Sequence, residues 1–160
     1  MKYSNQLLLA LFVWCGTVAP CSGAEKKTDT LIIDEAAVLT PQQHKEISSL
    51  LLDHNRKGPG RISVFIAKQL PPDTTIEKFA KNKINEQPLA PNEKADRILI
   101  AIALQDRKMR IETSREVWAA LPEQFCKEVI NQKMTPQFKE KKYFEGIHAG
   151  ISALITRLTQ

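Results

Sequence analysis

The chain is short of the residues on which most recognisable enzyme chemistry is built. It holds three histidines and three cysteines in 160 residues. His44 and His54 fall in one helical segment but ten residues apart, not the four that a paired metal motif needs, and His148 stands alone. Each of the three reads as a surface or boundary residue. No nucleophile elbow of the form G-x-S-x-G surrounds Ser114, and neither a P-loop nor a dinucleotide fingerprint is present. Two of the cysteines, Cys15 and Cys21, lie in an N-terminal leader, so Cys126 is left alone and no intrachain disulfide is expected. Cys126 sits at helical spacing from Val129 and Ile130 and reads as a small buried hydrophobe. Beyond the leader no run is long and apolar enough to span a bilayer. The net charge of +5 is mild, and aromatics are not interleaved with a basic stripe, which argues against nucleic acid as a partner.

The leader itself has the layout of an export signal. Lys2 is its charged start, residues 7–14 are its apolar stretch, and Ser22-Gly23-Ala24 puts small residues before Glu25. Residues 1–24 are therefore expected to be a cleaved signal peptide and residues 25–160 a single domain in the periplasm or secreted. Lipid anchoring at Cys21 and an uncleaved anchor are the alternatives; Pro20 and Trp14 are poor neighbours for an acylated cysteine.

Hydrophobic patterning then sets the element order. Leu31-Ile32-Ile33 is a short strand. Thr40-Pro41-Gln42-Gln43 is a capping box with Pro in the first turn, opening a helix whose stripe is Ile47, Leu50, Leu51 and His54. Arg61 to Ala67 is the next strand. Thr74-Thr75-Ile76-Glu77 reads as a second capping box, opening a helix with Ile76, Phe79, Ala80 and Ile84 on one face. Pro88 to Lys94 is a polar connection. Ile98 to Leu104 is a strand buried on both faces, and after the turn Gln105-Asp106-Arg107-Lys108 the alternating Met109-Arg110-Ile111-Glu112 is its hairpin partner. Residues 117–134 read as helical with a break near Pro122, and residues 143–158 as a last helix whose Gly146 and Gly150 allow close packing. The order β-α-β-α-β-β-α-α implies an α/β three-layer sandwich, a mostly parallel sheet with one antiparallel hairpin strand and helices on both faces.

The hairpin and its flanks resemble the TPM domain, a family that includes thylakoid-lumen photosystem-repair proteins and bacterial envelope proteins. Further landmarks stand in family order: Ile33-Asp34 before Val38-Leu39-Thr40, then Ile76-Glu77-Lys78-Phe79-Ala80, then Met134-Thr135-Pro136-Gln137-Phe138 before Tyr143-Phe144-Glu145-Gly146-Ile147. The chain departs from the pattern where Arg97 replaces a glycine before the buried strand and Thr113 to Val117 replace a glycine-rich turn after the hairpin. The resemblance implies a divalent-ion site, calcium or magnesium, drawing on Asp34, Asp96, Glu116 and Glu123, because hard ions need several oxygen ligands.

Two readings of those carboxylates stay open. Asp34 follows a strand where α/β sheets collect ligands, yet it also suits a cap for the turn into Ala36-Ala37. Asp96 and Glu116 are either ligands or partners of Arg97 and Arg115, and Arg97 could stand in for the ion's charge. The basic segments His54 to Arg61 and Lys139-Glu140-Lys141-Lys142 read as an ordinary turn and a plain polar linker, with anion or acidic-surface contact as the alternatives. Trp118 reads as core beside Val117 and Leu121. The expected function is a monomeric binding or assembly module of the bacterial envelope with an unidentified envelope protein as partner. The alternative is a metal-assisted acid phosphatase using Asp34 and Asp96.

Overall fold

The computed structural model describes residues 31–87 and 96–160. The leader, residues 25–30 and the polar connection at 88–94 lie outside the described residues. Four strands, β1 (Ile32–Asp34), β2 (Arg61–Ala67), β3 (Arg97–Ala103) and β4 (Lys108–Thr113), form one sheet in sequence order. β1, β2 and β3 run parallel, with Ile33 level with Phe65 and Ile66 level with Ile102, and β4 returns antiparallel with Arg110 opposite Ala101. The expected mixed sheet and its single hairpin strand are both present.

Alternation along β2 and β3 assigns two apolar faces. Ile62, Val64, Ile66, Ile98, Ile100 and Ile102 form one, packed against Ile47 and Leu51 of α1 (Pro41–Lys57) and Ile147, Ile151 and Leu154 of α5 (Tyr143–Leu158). Phe65, Ala67, Leu99, Ala101 and Ala103 form the other, under Ile76, Phe79, Ala80 and Ile84 of α2 (Ile76–Glu86). Helices thus lie on both faces. The connections β1-α1-β2 and β2-α2-β3 each step one strand in the same direction, yet their helices lie on opposite faces. The two crossovers therefore have opposite hands, and one of them departs from the right-handed preference.

Local signals set the helix starts. Thr40 Oγ1 accepts from the Gln43 N–H at 3.3 Å while Gln43 Oε1 accepts from the Thr40 N–H at 2.9 Å, the expected reciprocal box. At α2 the cap is Thr75 rather than Thr74: Thr75 Oγ1 accepts from the Lys78 N–H, whereas Thr74 Oγ1 donates to the Pro72 carbonyl. Beyond the hairpin, the 3₁₀ turn Arg115–Val117 precedes α3 (Glu123–Val129), so the helical segment is broken before Pro122 as expected. It does not end at Met134. A π turn, Ile130–Met134, leads directly into α4 (Thr135–Lys139). Pro136 has no N–H to give the α ladder, and the Thr135 N–H reaches five residues back to the Ile130 carbonyl instead.

The π turn and α4 are pressed against α5 at its two glycines. A Cβ on Gly146 would lie 2.6 Å from Phe138 Cδ2, and one on Gly150 would lie 2.9 Å from Met134 Sδ. Trp118 is not core but 59% exposed. The turn directs Val117 and Leu121 inward, linked by the Leu121 N–H to the Val117 carbonyl, so the intervening indole faces out and its Nε1 donates to the Thr113 carbonyl at 3.3 Å.

Candidate functional site

The four carboxylates expected to share an ion do not form one ligand set. Asp34 ends β1, level with Ile66, at the carboxyl end of the parallel strands. Asp96 precedes Arg97, which is level with Arg61 at the amino end. About six residues of strand separate those levels, roughly 20 Å at the usual rise. Glu116, on the 3₁₀ turn, is also at the amino end, and Glu123 opens α3 beside Arg110 of β4. Among the described residues no three His, Cys, Asp or Glu side chains gather where they could hold a metal ion. The residues therefore do not fit the coordination of a hard divalent ion by these four groups.

Three of the four carboxylates have a local occupation, and Asp96 contributes a backbone contact. Asp34 Oδ2 accepts from the Val38 and Leu39 N–H groups at 3.0 and 2.9 Å, which is the turn-capping alternative, while its Oδ1 is buried without a partner. The Asp96 carbonyl accepts from the Arg61 N–H. Glu116 titrates below the usual glutamate value because its own backbone N–H and the Ser114 side chain hydrogen-bond it, with Arg97 and Arg115 nearby. Lys127, and after it Arg110, lowers Glu123 in the same way. Arg97 does not take an ion's place between carboxylates. Its Nη1 donates to the Ile84 and Gln87 carbonyls at 2.7 and 3.3 Å, closing the C-terminal end of α2, where a cation is favoured.

The histidines and the cysteine are equally committed. His54 is buried, contrary to the surface expectation, and its Nε2 lies 3.1 Å from both the Pro59 and Gly60 carbonyls, tying the end of α1 to the turn before β2. Burial pushes the Cys126 thiol up to about 11, so it stays a neutral core group, as its spacing implied.

The concave feature is at the other end of the sheet. A pocket of about 420 Å³ opens where β3 ends and β4 begins, roofed by α4 and the start of α5. Ile102, Met109 and Phe138 give it an apolar floor and wall, the end of β3 at Ala103 and Leu104 forms its rim, and Tyr143 packs edge-to-face on Phe138 with ring centroids 5.4 Å apart. Four cations line it: Arg107 and Lys108 from the hairpin, Lys139 and Lys141 from the α4–α5 connection. No carboxylate lines it, and among the described residues none of the four has an ion-pair partner.

Two of those cations hold backbone positions that favour glycine. Arg107 (φ 54°) closes the hairpin turn, its N–H donating to the Leu104 carbonyl. Lys141 (φ 59°) follows α4 in a Schellman motif, with Lys142 N–H to Gln137 O and Lys141 N–H to Phe138 O. Sequence reasoning passed over these residues because Lys139 to Lys142 looks like a polar linker. The available signal was the pairing of two basic turns with the aromatic residues Phe138 and Tyr143, and only the fold brings the turns together.

Three solved structures share this architecture at identities that speak to fold alone. The N-terminal domain of a protein from P. gingivalis is 21% identical with a TM-score of 0.72, covering 83% of this chain and 84% of that one. BA42 from the psychrophilic bacterium Bizionia argentinensis is 19% identical with a TM-score of 0.65, covering 76% and 81%. The N-terminal domain of cg2496 from Corynebacterium glutamicum is 11% identical with a TM-score of 0.61, covering 86% and 84%. No curated protein matches the chain. The TPM domain family model matches residues 32–157, nearly the whole of the fold described above, and the chain belongs to the TPM domain family.

Proposed function

We infer that this TPM domain, exported by its N-terminal segment, is a binding module that takes an anionic ligand or partner group in the pocket at the carboxyl end of the sheet. The observation that carries the reading is the pocket lining: four cations without ion-pair partners around an apolar floor. Cations without ion pairs also stand elsewhere in the described residues, Lys45 and Lys81 among them; what sets these four apart is that one concave apolar surface gathers them. Lys57, Lys83, Arg110, Lys127 and Lys142 all have carboxylates within 3.4 Å. Unpaired positive charge concentrated around a concave apolar surface raises the local concentration of anions, and open α/β sheets bind ligands outside the carboxyl ends of their strands.

The binding reading needs no ion and no nucleophile. A metal-assisted phosphatase built on Asp34 and Asp96 would need two carboxylates that stand at opposite ends of the sheet. The envelope remains the proposed compartment and an envelope component the proposed partner. Among the described residues no helix is long and apolar enough to cross a membrane.

The test is a charge reversal. Lys139→Glu combined with Lys141→Glu should abolish capture of the protein by an anionic matrix at low salt, while the same change at Lys45 and Lys81, exposed on α1 and α2, should reduce it only slightly. Equal loss in both pairs would mean that net charge alone, not the pocket, drives binding.

A further inference from the structure

We propose that the ligand of this pocket is a compact oxyanion with two negative charges at one end, a phosphoryl or dicarboxylate group, joined to a flat apolar body. This rests on the pocket being the binding site and goes on to name what it selects.

The charge requirement follows from where the cations originate. Arg107 comes from one turn and Lys139 and Lys141 from another, so they approach the mouth from two separate segments, while Lys108, level with Ala103, adds its charge from the side of the sheet that α2 covers, near Glu77. A head with one delocalised charge divides it between the two sides, whereas a head with two charges offers each side a full one, with stronger charge-assisted hydrogen bonds. Arg107 adds a planar fork suited to two oxygens at once. The backbone strain supports a functional cause. Left-handed residues other than glycine are uncommon, and of the four among the described residues, Ala37, Asp73, Arg107 and Lys141, two are pocket cations at turn positions where glycine would be easier. The conformations close the hairpin and end α4, and at both positions a long cationic side chain stands where glycine would fit without strain.

The body follows from the floor. Ile102 closes the base on the face that α5 covers, and Met109 with the edge-to-face Phe138–Tyr143 pair offers a polarisable and aromatic wall. A volume of about 420 Å³ fits a head and one ring system, not an extended chain. That size argues against an extended peptide. A lipid surface would engage the cations without filling the floor.

The experiment is an NMR titration of the full protein at pH 8 and low salt with five probes: phenylphosphonate, phthalate, benzenesulfonate, methylphosphonate and benzyl alcohol. Shifts are followed at Ala103, Leu104, Met109, Phe138 and Tyr143. We expect phenylphosphonate or phthalate to saturate at least tenfold more tightly than benzenesulfonate, which has one charge, and than methylphosphonate, which lacks the ring. Benzyl alcohol should not bind measurably. Which of the two dianions is tighter separates phosphoryl from dicarboxylate. Lys139→Gln with Lys141→Gln should weaken the better probe at least tenfold.

Equal affinity for phenylphosphonate and methylphosphonate overturns the apolar body, and equal affinity for phenylphosphonate and benzenesulfonate overturns the double charge; both leave the pocket as a binding site. No shift at these residues with any probe overturns the class and the pocket reading together. Vesicles containing phosphatidylglycerol serve as a last arm: sedimentation with them that depends on Lys139 and Lys141, with no pocket shift by the small probes, replaces the compact ligand by a membrane surface.

Discussion

At the amino end of the sheet the polar side chains are tied to backbone; at the carboxyl end four cations are left untied. Asn55 of α1 both donates to and accepts from Ile62 of β2, at 3.0 and 2.9 Å, acting as a one-residue extension of the sheet. His54 holds the Pro59 and Gly60 carbonyls, Arg97 holds the end of α2, and Ser114 Oγ accepts from the Arg97 N–H at 2.9 Å. These groups stabilise because each satisfies backbone that would otherwise be orphaned. Arg107, Lys108, Lys139 and Lys141 satisfy nothing comparable, and two of them occupy strained conformations. The polar residues at the amino end are thus explained by folding, as are Asp34 and Asp106 at the carboxyl end, and the four pocket cations are not, which is what separates a structural cluster from a candidate site.

The sharpest way to break this contrast is at Asn55. Asn55→Ala leaves the Ile62 N–H and carbonyl without their partner, and a loss of about 2–3 kcal/mol in stability is expected by denaturant titration, with anion binding unchanged. A loss of binding as well would mean the two ends are coupled. Gly146→Ala comes next. Its Cβ would meet the Phe138 ring, so the wall of the pocket must move, and overpacking of about 1–2 kcal/mol is expected together with weaker binding.

Lys141→Gly should act in opposite directions on stability and binding. Relief of the left-handed conformation should raise stability by roughly 0.5–1 kcal/mol, while loss of the cation weakens anion binding severalfold. If stability falls instead, Lys141 is there for the fold and the contrast between the ends fails. The smallest effect concerns Cys126, whose thiol is about 11 in the folded protein against 9.0 for its ordinary value. The unfolded chain loses that proton first as pH rises, so this contribution to stability is complete below about pH 9 and is lost as pH rises from 9 to 11. Thermal melts across that range should show the decline, reduced in Cys126→Ala. The same neutral thiol should react slowly with iodoacetamide at pH 8.

Much of the fold was legible because its signals are short-range. The Thr40–Gln43 box needs four residues, and the face of α2 needs Ile76, Phe79, Ala80 and Ile84 at helical spacing. The cap of α2 was read one residue early because Glu77, three residues after Thr74, completes a capping-box pattern, whereas Thr74 Oγ1 is taken by the Pro72 carbonyl and Thr75 receives the Lys78 N–H. Trp118 was misplaced because it was read with its apolar neighbours: Val117 and Leu121, four apart and joined by the Leu121 N–H to the Val117 carbonyl, share the inward face, and the indole between them faces out. The candidate site was hardly legible. Asp34 was found, but at a turn-capping task, and its three expected companions lie elsewhere.

The sequence by itself determined the four strands, α1, α2 and α5, their order and the two-sided burial of β3, since periodicity and capping are properties of neighbouring residues; the π turn and α4 were not among them. Tertiary structure alone decided that the two crossovers have opposite hands, that Asp34 and Asp96 stand at opposite ends of parallel strands, and that the turns at Arg107 and Lys141 face one pocket. Those outcomes depend on which face each helix covers and on strand direction and register, and both are settled by packing between segments far apart in the chain.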